Sequence, residues 1–248
     1  MDDTAYVRAQ YASEGNLEAR RSVWGPGPSG IDPLDLVVAE VRAALPTHRG
    51  MPDVLEVGCG TGAFAARLAG ELPGLALLAV DQSPRFVELT RERGVPAQVQ
   101  DVRHLLAPDA SYDVVLALWM LYHVPDLDRG LAELRRVLRP DGRLIAVTNG
   151  DEHTADLRRE AGGSAVLTTF SSENGEEALR RHFDTVERTD IETRAHFAGP
   201  DAALAYLRSS EEDVEWSLPE HGWPRDYAGH VTVFVAGRDP GRSPRATR

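Results

Sequence analysis

Three glycines at alternate positions, Gly58, Gly60 and Gly62, follow an acid in the run Glu56-Val-Gly-Cys-Gly-Thr-Gly62. Glycine at this spacing lets the chain take positive φ and leaves main chain bare where a Cβ would otherwise hold a ligand away. Two more acids stand downstream: Asp81 closes the apolar run Leu75 to Val80, and Asp101 follows Val95 to Gln100. Asp81 lies nineteen residues past Gly62, where a carboxylate can accept two hydrogen bonds from a ribose diol. Together these residues offer binding of a nucleoside-bearing cofactor. Gly58-x-Gly60-x-x-Ala63 also satisfies the dinucleotide fingerprint, so an NAD(P)-dependent oxidoreductase is one reading. Glu56 argues against it, because a pyrophosphate needs helix N-terminal N–H groups with no anion beside them. An acid there suits a ligand with a cationic end.

The elements that must hold these residues are a strand, a tight turn and a helix. Val54, Leu55 and Val57 are strand formers, and a run rich in helix formers begins at Ala63. Glu56 to Gly62 resembles motif I of the class I S-adenosylmethionine (SAM)-dependent methyltransferases, Glu-x-Gly-x-Gly-x-Gly, at every fixed position. Trp119 to Asp126 and the segment after it resemble the post-strand-four region of the type 11 methyltransferases, the group that includes quinone-biosynthetic enzymes. The likeness covers residues 53 to 149 and implies SAM as cofactor. By that likeness Glu56, Gly58, Cys59, Gly60, Gly62, Asp81 and Gln82 would hold SAM. Asp101 and the backbone at Val102 would meet its adenine edge, with Leu118 and Trp119 completing the set. Asp101 reads equally as the N-cap of a short helical turn.

The segments that bear these residues end one strand after another. Tyr112 to Trp119 is a fourth apolar strand leading into Met120-Leu-Tyr-His-Val-Pro125. In an open parallel sheet the crevice lies beyond the carboxyl ends of the strands, so the turn, Asp81, Asp101 and Trp119 to His123 are expected to converge. His123 is a candidate proton acceptor for a hydroxyl or amine substrate, or a histidine bonded within its own loop. Tyr122 is a candidate substrate contact or a core residue, and Tyr11 a candidate aromatic cover for the cofactor.

The rest of the chain reads as one α/β domain. A helix starts at Asp32-Pro33, N-cap and N1 proline, and is expected to pack beside the first strand. Helices are expected over Pro84 to Arg93, from Asp126 on, over Asp151 to Ala161, Ser172 to His182 and Pro200 to Arg208. Strands are expected at Leu144 to Thr148, Thr185 to Ile191 and Val231 to Ala236. The fold expected is a Rossmann-like doubly wound sheet of seven strands, with helices on both faces. By the resemblance, its last strand is antiparallel. Residues 1–30 read as an N-terminal lid with short helices and an irregular Trp24-Gly-Pro-Gly-Pro-Ser-Gly stretch, 31–238 as the SAM-binding domain and 239–248 as a disordered tail. Residues 209 to 228 read as a surface segment over the site or a connection.

Composition excludes several classes. The 248 residues carry a net charge of −12, from 27 basic and 39 acidic side chains, and such a balance repels polyanions, so no nucleic-acid substrate is expected. Arg135, Arg136 and Arg139 are expected to line the solvated side of a leucine-rich helix. No apolar stretch of membrane-spanning length and no signal peptide is readable, which points to the cytoplasm. The single Cys59 forbids an intrachain disulfide, and the histidines lack metal-ligand spacing. Abundant Arg, Ala, Gly and Pro suit a high-GC bacterium, where small-molecule tailoring is common. The expected activity is methyl transfer from SAM to an O, N or C atom of a small molecule, the alternatives being the oxidoreductase or a SAM-binding protein with another role. Monomer and homodimer stay equally open.

Overall fold

A computed structural model describes residues 23–46, 50–210 and 213–238. Tyr11, the expected helices of residues 1–22 and the tail 239–248 lie outside the described residues. Eight strands form one sheet: β1 (Trp24–Pro26), β2 (Asp53–Val57), β3 (Ala76–Asp81), β4 (Ala97–Val99), β5 (Tyr112–Leu118), β6 (Leu138–Asn149), β7 (Thr185–Phe197) and β8 (Arg225–Gly237). Their order is β1-β7-β8-β6-β5-β2-β3-β4. β2 to β6 run parallel, and β8 enters antiparallel between β6 and β7, as expected. The eighth strand is β1, where an irregular stretch was expected. Trp24, Gly25 and Pro26, the first proline of the stretch, add a three-residue antiparallel edge to β7, and an edge strand is where proline is tolerated.

Seven helices accompany the sheet among the described residues: α1 (Pro33–Ala44), α2 (Ala63–Glu71), α3 (Pro84–Glu92), α4 (Leu127–Val137), α5 (Ala155–Glu160), α6 (Gly175–Arg180) and α7 (Pro200–Arg208). α1, α2 and α3 bury Val37, Val41, Phe64, Leu68 and Val87 against one sheet face, with Val54, Leu116, Ile145 and Val233. α4 and α6 bury Leu131, Leu134 and Leu179 against the other, with Leu55, Val115, Leu144 and Phe234. Adjacent residues of β2, β5 and β6 thus serve opposite cores, and so these strands read as unbroken apolar runs. α1 lies over β5, β6 and β8 rather than beside β2. Its start matches expectation: the Asp32 carboxylate accepts from the Leu34 N–H at 2.7 Å and Pro33 fills the first turn.

The expected basic helix face is instead spent on internal pairs. Arg139 lies past α4 and joins Asp53 (2.7 Å) to the buried Asp113 (2.5 Å) at the amino end of the sheet. Arg136 holds Glu133, Asp109 and the carbonyls of Leu105 and Ala107. These guanidiniums tie loops together.

The β7–β8 ladder is longer than expected, thirteen residues on each strand. β6 ends opposite Val231, yet pairing continues from Glu192↔His230 to Phe197↔Arg225. At about 3.3 Å per residue, this carries the two strands roughly 20 Å past the parallel sheet. A third core sits on this overhang, made of Leu157, Phe197, Leu207, Trp216, Leu218 and Tyr227. Trp216 therefore belongs to a core, and residues 225–228 to a strand, where a surface segment was expected.

Candidate cofactor and acceptor site

Over the carboxyl ends of the strands lies a cavity of about 650 Å³, within the range usual for small-molecule sites. Glu56, Gly58, Cys59, Gly60, Asp81, Gln82, Asp101, Val102, Leu118, Trp119, Tyr122 and His123 all line it. Four separated segments meet there because each follows the end of a neighbouring strand.

The glycine turn is fastened to β3. The N–H groups of Gly58 (2.8 Å) and Cys59 (3.2 Å) both donate to the Val80 carbonyl, and the Gly60 N–H donates to the Asp81 carboxylate (3.0 Å). All three glycines have positive φ. A Cβ on Gly60 would meet nothing within 4 Å, so this residue opens space for a ligand. A Cβ on Gly62 would lie 2.7 Å from the Cα of Thr90, and Gly62 is absent from the cavity wall. Its absent side chain lets α3 close on the start of α2, a packing requirement for glycine at this position.

The acids differ in state. Glu56 is 2% and Asp81 8% exposed. Burial raises the Asp81 carboxyl above the usual carboxylate range, opposed by the amides of Ser83 (2.9 Å), Gly60 and Gln82. The carboxylate has about four acceptor sites, so even with these amides on its oxygens Asp81 retains a lone pair for a further donor. Asp101 accepts the Arg103 amide at 2.9 Å and the Arg103 guanidinium at 2.6 Å, which holds its carboxyl below the usual range. The helical turn expected here is an Asx-type turn instead, closed by the bridge Asp101↔His104.

The cofactor implied by the motif fits this donor set. Three acids suit a ligand that carries an ammonium and a sulfonium, Asp81 has acceptor capacity for a diol, and the bare backbone at Gly60 leaves room beside them. Arg103, a cation in the same cavity wall, is paired with Asp101.

Cys59 is buried, 3.4 Å from the Thr90 hydroxyl, and burial pushes its thiol up to about 12. It stays protonated at neutral pH. Treatment of the folded protein with iodoacetamide at pH 7.5 is expected to leave it unmodified, with full labelling in denaturant; peptide mass mapping checks this.

At the end of β5 the backbone is strained. Trp119 has φ +52°, costly for a bulky residue, and its indole Nε1 donates to the Asn149 side-chain oxygen at 2.8 Å. A 3-10 turn (Leu121–His123) follows, with the His123 ring edge-on to Tyr122 at 4.4 Å between centroids. Across the cavity, the wall comes from residues that the motifs do not mark: Trp24, Asn149, His153, Thr193 and Tyr206. Trp24 and His153 are carried by β1 and the β6–α5 connection, and no pattern in their neighbourhoods announces them. α5 starts at Ala155 and α6 at Gly175, later than the helices expected from Asp151 and Ser172. The chain from 150 to 154 is thereby left as a loop that presents His153.

Among the described residues no cluster of His, Cys, Asp and Glu is arranged to hold a metal, and no helix is long and apolar enough to cross a membrane.

A family model described as "Methyltransferase domain" matches residues 55–146. Methyltransferase GfsG of Streptomyces halstedii is 30% identical over 204 residues, 73% of this chain and 71% of its own. The malonyl-[acyl-carrier protein] O-methyltransferase of Methylococcus capsulatus is 31% identical over 236 residues, covering 89% of this chain and 85% of its own. The YcgJ protein of Bacillus subtilis shares the fold, with a TM-score of 0.57 at 20% identity over 83% of this chain and 98% of that one. The glycine turn, the acids at successive strand ends and these likenesses agree: the chain belongs to the type 11 family of class I SAM-dependent methyltransferases.

Proposed function

We propose that the protein is an enzyme of class EC 2.1.1.- that moves the methyl group of SAM to a nucleophilic atom, oxygen in the first instance, of a small molecule in bacterial secondary metabolism. The observation that carries this reading is the meeting of Gly58–Gly60, Asp81, Asp101 and Trp119–His123 in one cavity that continues past them to a second wall. Bound SAM supplies an activated methyl and its own leaving group. The chain's part is to hold the acceptor atom about 3 Å from that methyl, aligned and screened from water. In this reading Asp81 and Gln82 hold the ribose, Asp101 and Val102 face the adenine, Glu56 meets the cationic methionine end, and Cys59, Leu118 and Trp119 pack around the sulfonium. Tyr122 contacts the acceptor, and His123 takes the proton that an attacking hydroxyl releases. Tyr11 is proposed to cover the cofactor. A domain of residues 31–238, with 1–30 as a lid and 239–248 as a tail, cytoplasmic and acting on a free small molecule, completes the proposal.

Calorimetric titration with SAM and S-adenosylhomocysteine tests the first step, with saturable binding of both expected. No heat at millimolar cofactor would sink the reading. Labelled methyl transfer into a metabolite extract then separates an enzyme from a protein that only binds SAM. His123→Asn is expected to lower kcat by about 10²-fold, the usual size of a lost general base; unaltered turnover rejects that role.

A further inference from the structure

The cavity is divided by charge along the sheet. Three of its four acids, Glu56, Asp81 and Asp101, lie over β2, β3 and β4 on one side of β5, with Arg103 paired to Asp101. The far side, over β6, β8, β7 and β1, is walled by Trp24, His153, Thr193, Tyr206, Leu207 and Val231. Two charged side chains reach this half, and the chain itself engages both. The Asp32 carboxylate caps α1 through the Leu34 N–H. The Arg158 Nε donates to the Ser164 carbonyl at 2.6 Å, and its guanidinium carbon lies 5.0 Å over the Trp216 ring. A carboxylate in this half would find only the Arg158 guanidinium and an ammonium only the Asp32 carboxylate, each already bonded by the chain, so the cost of desolvating either ion weighs against it.

His153 is the polar group most firmly placed in this wall. Its ring stacks on Trp24, centroids 4.3 Å apart with 28° between planes. Its Nδ1 lies 3.2 Å from both the N–H and the carbonyl oxygen of His230 on β8. The backbone of one residue can thus serve either neutral tautomer, and Nε2 is the nitrogen left for a ligand. Burial lowers the His153 pKa to about 4, so the ring stays uncharged at neutral pH. Two backbone features fix the pair. Thr154, next to His153, has φ +61°, and a Cβ at Gly229 would overlap the Trp24 ring at 2.4 Å, so the bare glycine is what seats the indole.

Resting on the methyltransferase reading above, we infer that the far half of the cavity takes a neutral, largely apolar acceptor bearing hydroxyl groups, with His153 Nε2 as the hydrogen-bonding contact that selects it. The Trp24–His153 stack supplies a flat apolar wall with one polar point. A hydroxyl satisfies that point as donor or acceptor, according to tautomer. The selection is by binding, whereas the proton released on methyl transfer goes to His123.

The test uses the full chain with SAM bound. Labelled methyl transfer is measured to three sets of probes: neutral macrolactone alcohols and phenols, carboxylates including malonyl-pantetheine thioester, and primary alkylamines. Transfer to a neutral alcohol or phenol at a kcat/KM at least tenfold above the other sets is expected. Preference for a carboxylate or an amine overturns the inference, as does failure to methylate any neutral alcohol while SAM binds. Failure of SAM to bind overturns the methyltransferase reading instead. With the best neutral acceptor, His153→Phe is expected to lower kcat/KM about tenfold, carried in KM, with SAM affinity held within twofold. An unchanged KM, or a loss confined to kcat, rejects His153 as the selecting contact. A smaller change in His153→Gln, whose amide can replace the hydrogen bond, is expected; equal losses in the two variants reject the hydrogen bond.

Discussion

Gly62→Ala is expected to destabilise the fold by about 2–5 kcal/mol, while Gly60→Ala, two residues away, is expected to cost only the backbone share of that, about 1–2 kcal/mol, and to abolish cofactor binding. Both glycines sit at positive φ, where an alanine costs about 1–2 kcal/mol. At Gly62 the added methyl also meets the Thr90 Cα at 2.7 Å and its side chain at 2.5 Å. A backbone atom of a packed helix cannot step aside cheaply, and overpacking of this kind adds roughly 1–3 kcal/mol. At Gly60 the methyl meets no protein atom but stands in the cavity where the ligand would run. Urea denaturation and SAM titration of the two variants separate the effects. Equal loss of stability in both would refute the division of labour between the two glycines.

Asp81→Ala is expected to weaken SAM binding by about 1–3 kcal/mol, roughly 5- to 150-fold, the size of lost charge-assisted hydrogen bonds to a diol. The same substitution releases the Gly60 and Ser83 N–H groups, so part of the loss arises because the turn is no longer tied to β3. A cofactor analogue lacking the ribose hydroxyls distinguishes the two parts. Against it, wild type and variant are expected to differ by less than they do against SAM. Calorimetry gives both affinities, and unchanged SAM affinity in the variant removes Asp81 from the site.

The cofactor half of this site was legible in the sequence because each of its residues is bound to a local rule. Glycine alternation marks a turn, an acid after an apolar run marks a strand end, and parallel strands buried on both faces are unbroken apolar runs. The acceptor half obeys no such rule. Trp24 sits in a Gly-Pro stretch that reads as irregular until β7 is present to pair with it. Beyond Ile191, β7 alternates charged and apolar residues, Glu192-Thr-Arg-Ala-His-Phe197, and only its partner β8 shows that one face is buried. His153 has a role only through the His230 peptide, 77 residues away. Asp101 was read for its neighbour in sequence and for a ligand, whereas Arg103 claims most of its carboxylate. The pairings of Trp24 and His153 are long-range and invisible to spacing, whereas that of Asp101 with Arg103 is local.

The overhang of β7 and β8 past the end of β6 has a mechanical meaning. Its core shares no residue with the two cores of the main sheet and reaches them through the ladder and short connections. Cooperative units of this kind open at free energies below that of the whole molecule. One wall of the cavity is therefore expected to exchange its amide hydrogens ahead of the shelf under the glycine turn, which hydrogen exchange followed by mass spectrometry checks.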